Sequence, residues 1–351
     1  MKKSIFNKLI DPSNKKISVI AEMSGNHRGS FEGSKKFIFN AIKYGADIIK
    51  FQVYRPNTIT LKSNKKDFLI KSKNVWSKYK TLYDLYEKAY TPWNWIQSLA
   101  KILDSKKFPW FASPFDPSAI EFLEKLKCPA YKLASPEITD INLIEKISLT
   151  NKPIFISTGL ATFKDIDLAI KTIKKKHNKF AILKCVSAYP TPYKDLNLET
   201  IKTLKKKYKC AIGFSDHTTG YLAAKVAVSL GATIIEKHFK VDNDKSSIDS
   251  HFSMELSKLK KFKHELNDIS ICLGNGNLKI AFSAMKNISG RRSLYISKNI
   301  RKGEKFNMEN IKSVRPSYGM HPCFLKKIIG KKAKKKLQKG ERLKINLVEK
   351  L

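Results

Sequence analysis

This chain of 351 residues is short of several things, and each shortage narrows its class. It has five cysteines, an odd number, at 128, 185, 210, 272 and 323, with no Cys-x-x-Cys spacing among them. That excludes a disulfide framework or a zinc ribbon and points to reduced thiols in a cytoplasm. No apolar run approaches the length of a membrane span, and the lysines near the start are not followed by the apolar stretch of a secretory signal. Glycine is sparse, 15 residues, and no strand leads into a Gly-x-Gly-x-x-Gly turn, which removes the dinucleotide-binding version of a doubly wound sheet. Acidic residues are few, 30 against 69 Lys and Arg, for a net charge of +39. Only seven of the cations are arginine. Nucleic-acid surfaces favour clustered, bidentate arginine. Here lysine is spread along many segments, as at 171–176 and 205–209, so no nucleic-acid partner is expected. A positive field of this size would instead help to collect a multiply charged small anion.

What is present is a rhythm of strand-length apolar runs separated by helix-length segments. Runs at 18–22, 47–53, 108–113, 130–135, 153–158, 180–186, 210–214 and 232–239 make eight. Helices are expected near 31–44, from Trp93, from Pro117 and over 221–230, with a long polar insertion at about 55–80. Eight β–α alternations in about 270 residues fit a (β/α)8 TIM barrel. After Leu273 the pattern changes. A linker is expected at 274–290 and a small, basic, β-rich domain at 291–351, with tight turns at Lys302-Gly303-Glu304 and Lys339-Gly340-Glu341.

Two histidines organise the barrel, over 1–273. His217 follows the seventh run and His238 ends the eighth, and a single helix between them makes a βαβ unit. The two strands are then parallel, and both imidazoles leave the sheet at its carboxyl edge. Alternation puts Ser215 with His217 on one face and Glu236 with His238 on another. Two such imidazoles can hold a divalent metal with open positions, or can be hydrogen-bonded structural residues. The other strand ends supply Glu22, Lys50, Gln52, Ser113, Lys132, Ser135, Glu137, Ser157, Lys184, Ser187 and Tyr189. Lys50 and Lys132 need partners if buried: an anionic ligand surrounded by serine hydroxyls, or Glu22, Glu137 or Glu236.

Taken together, Ile20–His27, Lys50–Tyr54, Tyr131–Ser135, Ser157–Gly159, Phe214–His217 and Glu236–Phe239 resemble the sialic acid synthases over nearly the whole chain, and the C-terminal part resembles their antifreeze-like (SAF) domain. Within that family Gln52–Thr60, Asp249–Ser253 and Arg315–Pro322 lean towards the branch that makes pseudaminic acid. The resemblance implies condensation of phosphoenolpyruvate with a 2,4-diacetamido-2,4,6-trideoxy sugar, or, in the related branches, with N-acetylmannosamine or the legionaminic acid precursor. It implies Mn²⁺, or else Mg²⁺ or Co²⁺, on His217 and His238, with Glu22 at a water. Lys50, Lys132, Ser135, Ser157, Ser187 and Ser215 would hold phosphoenolpyruvate, Gln52, Glu137, Tyr189 and Asp249 would face the sugar, and Ser113 would be a further substrate-binding residue. It also implies a homodimer in which the SAF domain caps the partner's barrel and Arg315 reaches the sugar in trans.

Overall fold

The structure, a computed structural model, describes residues 2–71 and 75–350. Eight parallel strands run in chain order: β1 Ser18–Glu22, β2 Ile48–Val53, β3 Trp110–Pro114, β4 Tyr131–Leu133, β5 Ile154–Ser157, β6 Phe180–Cys185, β7 Ala211–Asp216 and β8 Ile234–Lys240. Each pairs with the next, and β1 pairs with β8, so the sheet closes. The strands are apolar runs, buried along almost their whole length, as a barrel wall between a filled interior and a helical shell requires. Helices such as Phe31–Lys43, Pro117–Lys125 and Phe163–Lys174 supply that shell. Their starts are set by side-chain caps: Ser30 accepts from Gly33 N, Asp116 from Ser118 N and Ala119 N, and Thr162 exchanges bonds with Asp165.

Register places the chemistry. Glu22 lies level with Lys50 on one side and His238 on the other. Gln52 is level with Ser113, Cys185 with Ser215, and Ser215 with Glu236. The strand ends therefore form a ring of polar groups at one mouth of the barrel.

Two elements lie outside the expectations of sequence. The insertion after β2, expected as long and polar at about 55–80, falls partly on residues 72–74, outside the described residues. Beyond it the chain forms a helix, Leu82–Ala89, started by a capping box between Thr81 and Asp84. At the chain start, Lys2–Leu9 is helical, with Phe6 and Leu9 buried. The Phe6 ring lies 5.5 Å from Phe111 and 6.3 Å from Phe155. Those two rings stand near the amino ends of β3 and β5, so this helix plugs the mouth opposite the polar ring.

The chain divides into two compact units after Gly274. The second has its own core, including Leu294, Ile296, Ile300, Phe306, Leu337 and Leu343. Its regular sheet is a single antiparallel pair, Ser293–Ile296 with Ile311–Val314. Isolated bridges such as Ile300 with Leu337 join the rest. The two Lys-Gly-Glu turns are alike: Gly303 and Gly340 have positive φ, and Glu304 and Glu341 each accept from a backbone N–H three residues back, at 2.8 and 2.7 Å. Within 274–290, residues 282–290 form 3-10 turns bonded to the second unit: Ser317 N donates to the Ser289 carbonyl at 3.0 Å and Ser317 Oγ to the Ile288 carbonyl at 3.1 Å.

The plug predicts that Phe6→Ala costs about 3–5 kcal/mol by leaving a cavity against Phe111 and Phe155. The denaturation midpoint of the barrel unit measures this, and no change would mean that the helix does not brace the closed end.

Candidate active site

The polar ring encloses a cavity of about 150 Å³ lined by Lys50, Gln52, Ser113, Lys132, Ser135, Ser157, Tyr189, Ser215, His217 and His238, together with Phe115, Ala134, Pro136, Cys185 and Glu236. Eleven of the polar residues named from sequence, Glu236 included, thus converge on one space. At its floor is a buried charge network. Lys50 Nζ lies 2.6 Å from Glu22 Oε2 and 2.9 Å from Glu236 Oε1. Lys132 Nζ lies 2.8 Å from the same Glu236 oxygen, and Ser215 Oγ donates to it at 3.1 Å. Burial brings the Lys50 ammonium down to about 7, partly offset by Glu236. Burial would raise the Glu236 carboxyl, but Lys132 and Lys50 outweigh it and hold the group well below the usual range.

Both lysines are therefore paired with carboxylates, Glu22 and Glu236 but not Glu137, while also facing a hydroxyl-lined cavity. Glu22 is fully buried; its other oxygen accepts from Ser24 N at 2.7 Å. Glu137 sits in the turn after β4, where burial raises its carboxyl to about 7 and Oε2 has no hydrogen-bond partner. Ser187 Oγ and Ser157 Oγ are also buried without partners. Gly159 explains how close the backbone comes: a Cβ there would lie 2.3 Å from Ser187 Oγ, while its N–H donates to Ser135 Oγ at 2.8 Å. Asp249 accepts from Ser24 Oγ at 2.6 Å, and burial raises its carboxyl. Arg315 belongs to the C-terminal unit and is exposed there.

The His217 and His238 rings are 5.3 Å apart, centroid to centroid. His217 Nδ1 is engaged by the Val186 carbonyl at 2.9 Å, which leaves its other nitrogen for a ligand. His238 Nδ1 is buried with no hydrogen-bond partner, 3.9 Å from Asp249 Oδ2. Burial and the neighbouring His217 hold His238 well below its ordinary range, in the neutral form that binds metals. An orphaned imidazole nitrogen beside a second, pre-oriented imidazole fits a divalent ion with open positions. Among the described residues no third His, Cys, Asp or Glu completes a ligand cluster.

Three features escaped the sequence reading. Strand six presents Cys185 to the cavity; Lys184, named as its strand-end cation, turns away and donates to the Cys185 carbonyl at 3.1 Å. Alternation allows only one of two adjacent residues inside, and the buried one here is the thiol. Burial would raise that thiol, but His217, whose Nδ1 is 3.7 Å from Sγ, outweighs it and brings it down to about 7. Behind the histidines, Lys237 is fully buried on Asp216 at 2.8 Å and donates to the Thr218 carbonyl at 2.7 Å. This pair locks the ends of β7 and β8, and so the histidine spacing. Finally, Tyr54, Trp76, Leu85 and Tyr86 border an adjoining cavity, the last two on a helix whose Thr81-x-x-Asp84 box was readable.

With this geometry in view, the comparisons with known proteins are consistent among themselves. The model of the NeuB family matches residues 37–278, and that of the SAF domain matches 291–349. The chain belongs to the NeuB family. It is similar to a pseudaminic acid synthase of Campylobacter jejuni, 44% identical over 333 residues that cover 95% of this chain and 96% of the relative. An N,N'-diacetyllegionaminic acid synthase, also of Campylobacter jejuni, is 33% identical over 334 residues, covering 93% and 98%. Among solved structures, an N-acetylneuraminic acid (sialic acid) synthetase from Leptospira borgpetersenii in complex with citrate superposes with a TM-score of 0.68 at 32% identity, covering 78% of this chain and 90% of that one.

The Asp216–Lys237 pair carries a prediction of its own. Lys237→Met strands a buried carboxylate and destabilises the fold by about 3–5 kcal/mol. The double substitution Asp216→Leu/Lys237→Met recovers most of that loss. Equal losses in single and double variants, by chemical denaturation, would mean that packing rather than charge is at stake.

Proposed function

We propose that this chain makes pseudaminic acid by condensing phosphoenolpyruvate with the open-chain form of 2,4-diacetamido-2,4,6-trideoxy-L-altrose and releasing phosphate. The observation that carries the reading is the adjacency of two spaces, a cation-and-hydroxyl pocket and a larger cavity, whose linings share Gln52, Pro136, Tyr189 and His238. The greater similarity to a pseudaminic acid synthase than to a legionaminic acid synthase, 44% against 33%, favours this sugar over its relatives.

Lys50, Lys132 and the hydroxyls of Ser113, Ser135, Ser157, Ser187 and Ser215 bind the phosphate and carboxylate of phosphoenolpyruvate. The incoming anion competes with Glu236 for both ammonium groups, and charge-assisted bonds of this kind are the strong ones. Gln52, Glu137, Tyr189 and Asp249 orient the sugar so that its aldehyde carbon faces C3 of phosphoenolpyruvate. His217 and His238 would hold a divalent ion, Mn²⁺ by preference, supplying Lewis-acid polarisation of the aldehyde. The C3–C1 bond forms, the aldehyde oxygen becomes a hydroxyl, and C2 takes up water before phosphate leaves the resulting tetrahedral centre. Glu22, paired with Lys50, orients or deprotonates that water. Holding both substrates in register supplies much of the rate.

The assembly belongs to the same reading: a homodimer in which the C-terminal unit of one chain covers the partner's barrel and brings Arg315 to the sugar. All five cysteines are free thiols, which supports a cytoplasmic setting. Among the described residues no helix is long and apolar enough to cross a membrane.

Phosphate release on mixing the enzyme with phosphoenolpyruvate and each of three sugars tests the reading, with the trideoxy diacetamido sugar preferred over N-acetylmannosamine and the legionaminic acid precursor. Chelation abolishes turnover and Mn²⁺ or Co²⁺ restores it; full activity of rigorously metal-free enzyme refutes the metal role. Lys132→Ala raises the KM for phosphoenolpyruvate about tenfold or more while the sugar KM moves less. An unchanged KM for phosphoenolpyruvate would leave Lys132 a purely structural partner of Glu236.

Subunit mixing tests the trans arrangement. Arg315→Ala and His217→Ala chains are each inactive, but a heterodimer with trans capping has one site with both defects and one with none. Activity returns on mixing, towards a quarter of wild type at random exchange (about half the dimers, each with one intact site). No return despite demonstrated exchange would place Arg315 outside the partner's site.

A further inference from the structure

The cavity beside the anion pocket, about 230 Å³, is lined by both polar and apolar side chains. Strand ends and their loops supply the polar groups of Ser24, Gln52, His238 and Asp249. Beside Trp76, Pro136, Tyr189, Ile248 and Phe252, the apolar lining includes Tyr54, Leu85, Tyr86 and Ala89. Three of these last four come from the helix Leu82–Ala89, and none of the four takes part in the chemistry proposed above. Leu85, Tyr86 and Ala89 are half-buried and line the cavity. The Tyr54 ring stands behind, edge-on to Tyr86 at 5.8 Å and to Phe115 at 5.3 Å.

This wall is braced. The capping box fixes the start of the helix, and the carbonyl of its last residue, Ala89, meets His27 Nε2 at 3.2 Å. The loop after β1 lies so close that a Cβ on Gly25 would stand 3.4 Å from the same carbonyl. A braced apolar surface facing a sugar has a definite consequence. A hydroxyl pressed against Leu85 and Ala89 loses its water and finds no partner, whereas a methyl gains contact.

We propose that Tyr54, Leu85, Tyr86 and Ala89 form a methyl-selecting wall, which seats the methyl-bearing end of the sugar and rejects a hydroxyl in that place. This rests on the function proposed above and adds the residues that set its specificity. The ligand class is a 6-deoxy or N-acetylated amino sugar, the seated methyl being either the C6 methyl or an acetamido methyl. The polar groups, Asp249 and Gln52 among them, are left for the hydroxyls.

The test compares kcat/KM for 2,4-diacetamido-2,4,6-trideoxy-L-altrose, its 6-hydroxy counterpart and its N-formyl counterpart, in wild type, Leu85→Ser and Leu85→Met. A methyl in an apolar pocket is worth about tenfold or more in discrimination. Wild type should therefore disfavour one analogue by at least about tenfold. Leu85→Ser should remove most of that preference, and Leu85→Met should keep it. The KM for phosphoenolpyruvate and the thermal midpoint, both unchanged, show that Leu85→Ser has neither unfolded the helix nor disturbed the anion pocket. A penalty on the 6-hydroxy sugar identifies the C6 methyl, and one on the N-formyl sugar identifies an acetamido methyl. Equal preferences in wild type and Leu85→Ser overturn the wall even if the trideoxy sugar is a good substrate. Turnover of N-acetylmannosamine but not the trideoxy sugar overturns instead the function it rests on. The N-acetyl to N-formyl ratio on N-acetylmannosamine then still decides whether Leu85 reads a methyl.

Discussion

One carboxylate holds the polar mouth of this barrel together. Glu236 Oε1 takes Lys50, Lys132 and Ser215 at 2.9, 2.8 and 3.1 Å, joining β8 to β2, β4 and β7. Burial brings the Lys50 ammonium down to about 7, and the Glu236 carboxylate opposes that shift. With Glu22 as the second carboxylate, two lysines face two carboxylates in one buried cluster. It is therefore a site that holds positive charge ready at little net electrostatic expense, and an arriving anion needs only to displace one carboxylate oxygen.

The same economy explains the second buried pair. Asp216 and Lys237 point away from the cavity, between the strand ends that carry His217 and His238. A parallel sheet cannot bring two imidazoles to a fixed separation by backbone hydrogen bonds alone, because the residues in question stand at or beyond the last paired positions. Asp216 is paired with Lys237 in register, His217 follows one residue later, and Thr218 receives the Lys237 ammonium on its carbonyl. The turn after β7 is thus closed by a side chain from β8.

Above this charged floor the site changes character. The aromatic and aliphatic side chains around the larger cavity come from the segment between β2 and β3, from the loop after β8 and from the turns after β4 and β6. They include Trp76, whose indole N–H donates to the Ile248 carbonyl at 3.2 Å. The division follows the usual logic of barrel enzymes, in which strand ends carry the reaction common to a family and the loops carry what varies among its members.

Much of this was legible in the residues alone. Each barrel strand was visible as an apolar run because both of its faces are buried, and each observed strand falls within a residue or two of its run. The histidines, the lysines and the serines could be assigned to one mouth because parallel connectivity allows no other. Long-range pairing could not be read in this way. That Lys50 and Lys132 share a single oxygen of Glu236, 186 and 104 residues away, depends on the closure and stagger of the sheet. Whether Lys184 or Cys185 faces inward depends on strand register, which a continuous apolar run does not reveal. The plug at Phe6 and the wall at Leu85 were missed for another reason: each is a short amphipathic helix whose apolar residues are few, and its buried face has meaning only against rings and loops distant in the chain. Sequence by itself determined the architecture and the inventory of reactive groups, since both follow from local periodicity and chain direction. Tertiary structure alone decided which charge neutralises which and which side chains line one cavity, since those depend on distances between residues that the backbone brings together only when the barrel closes.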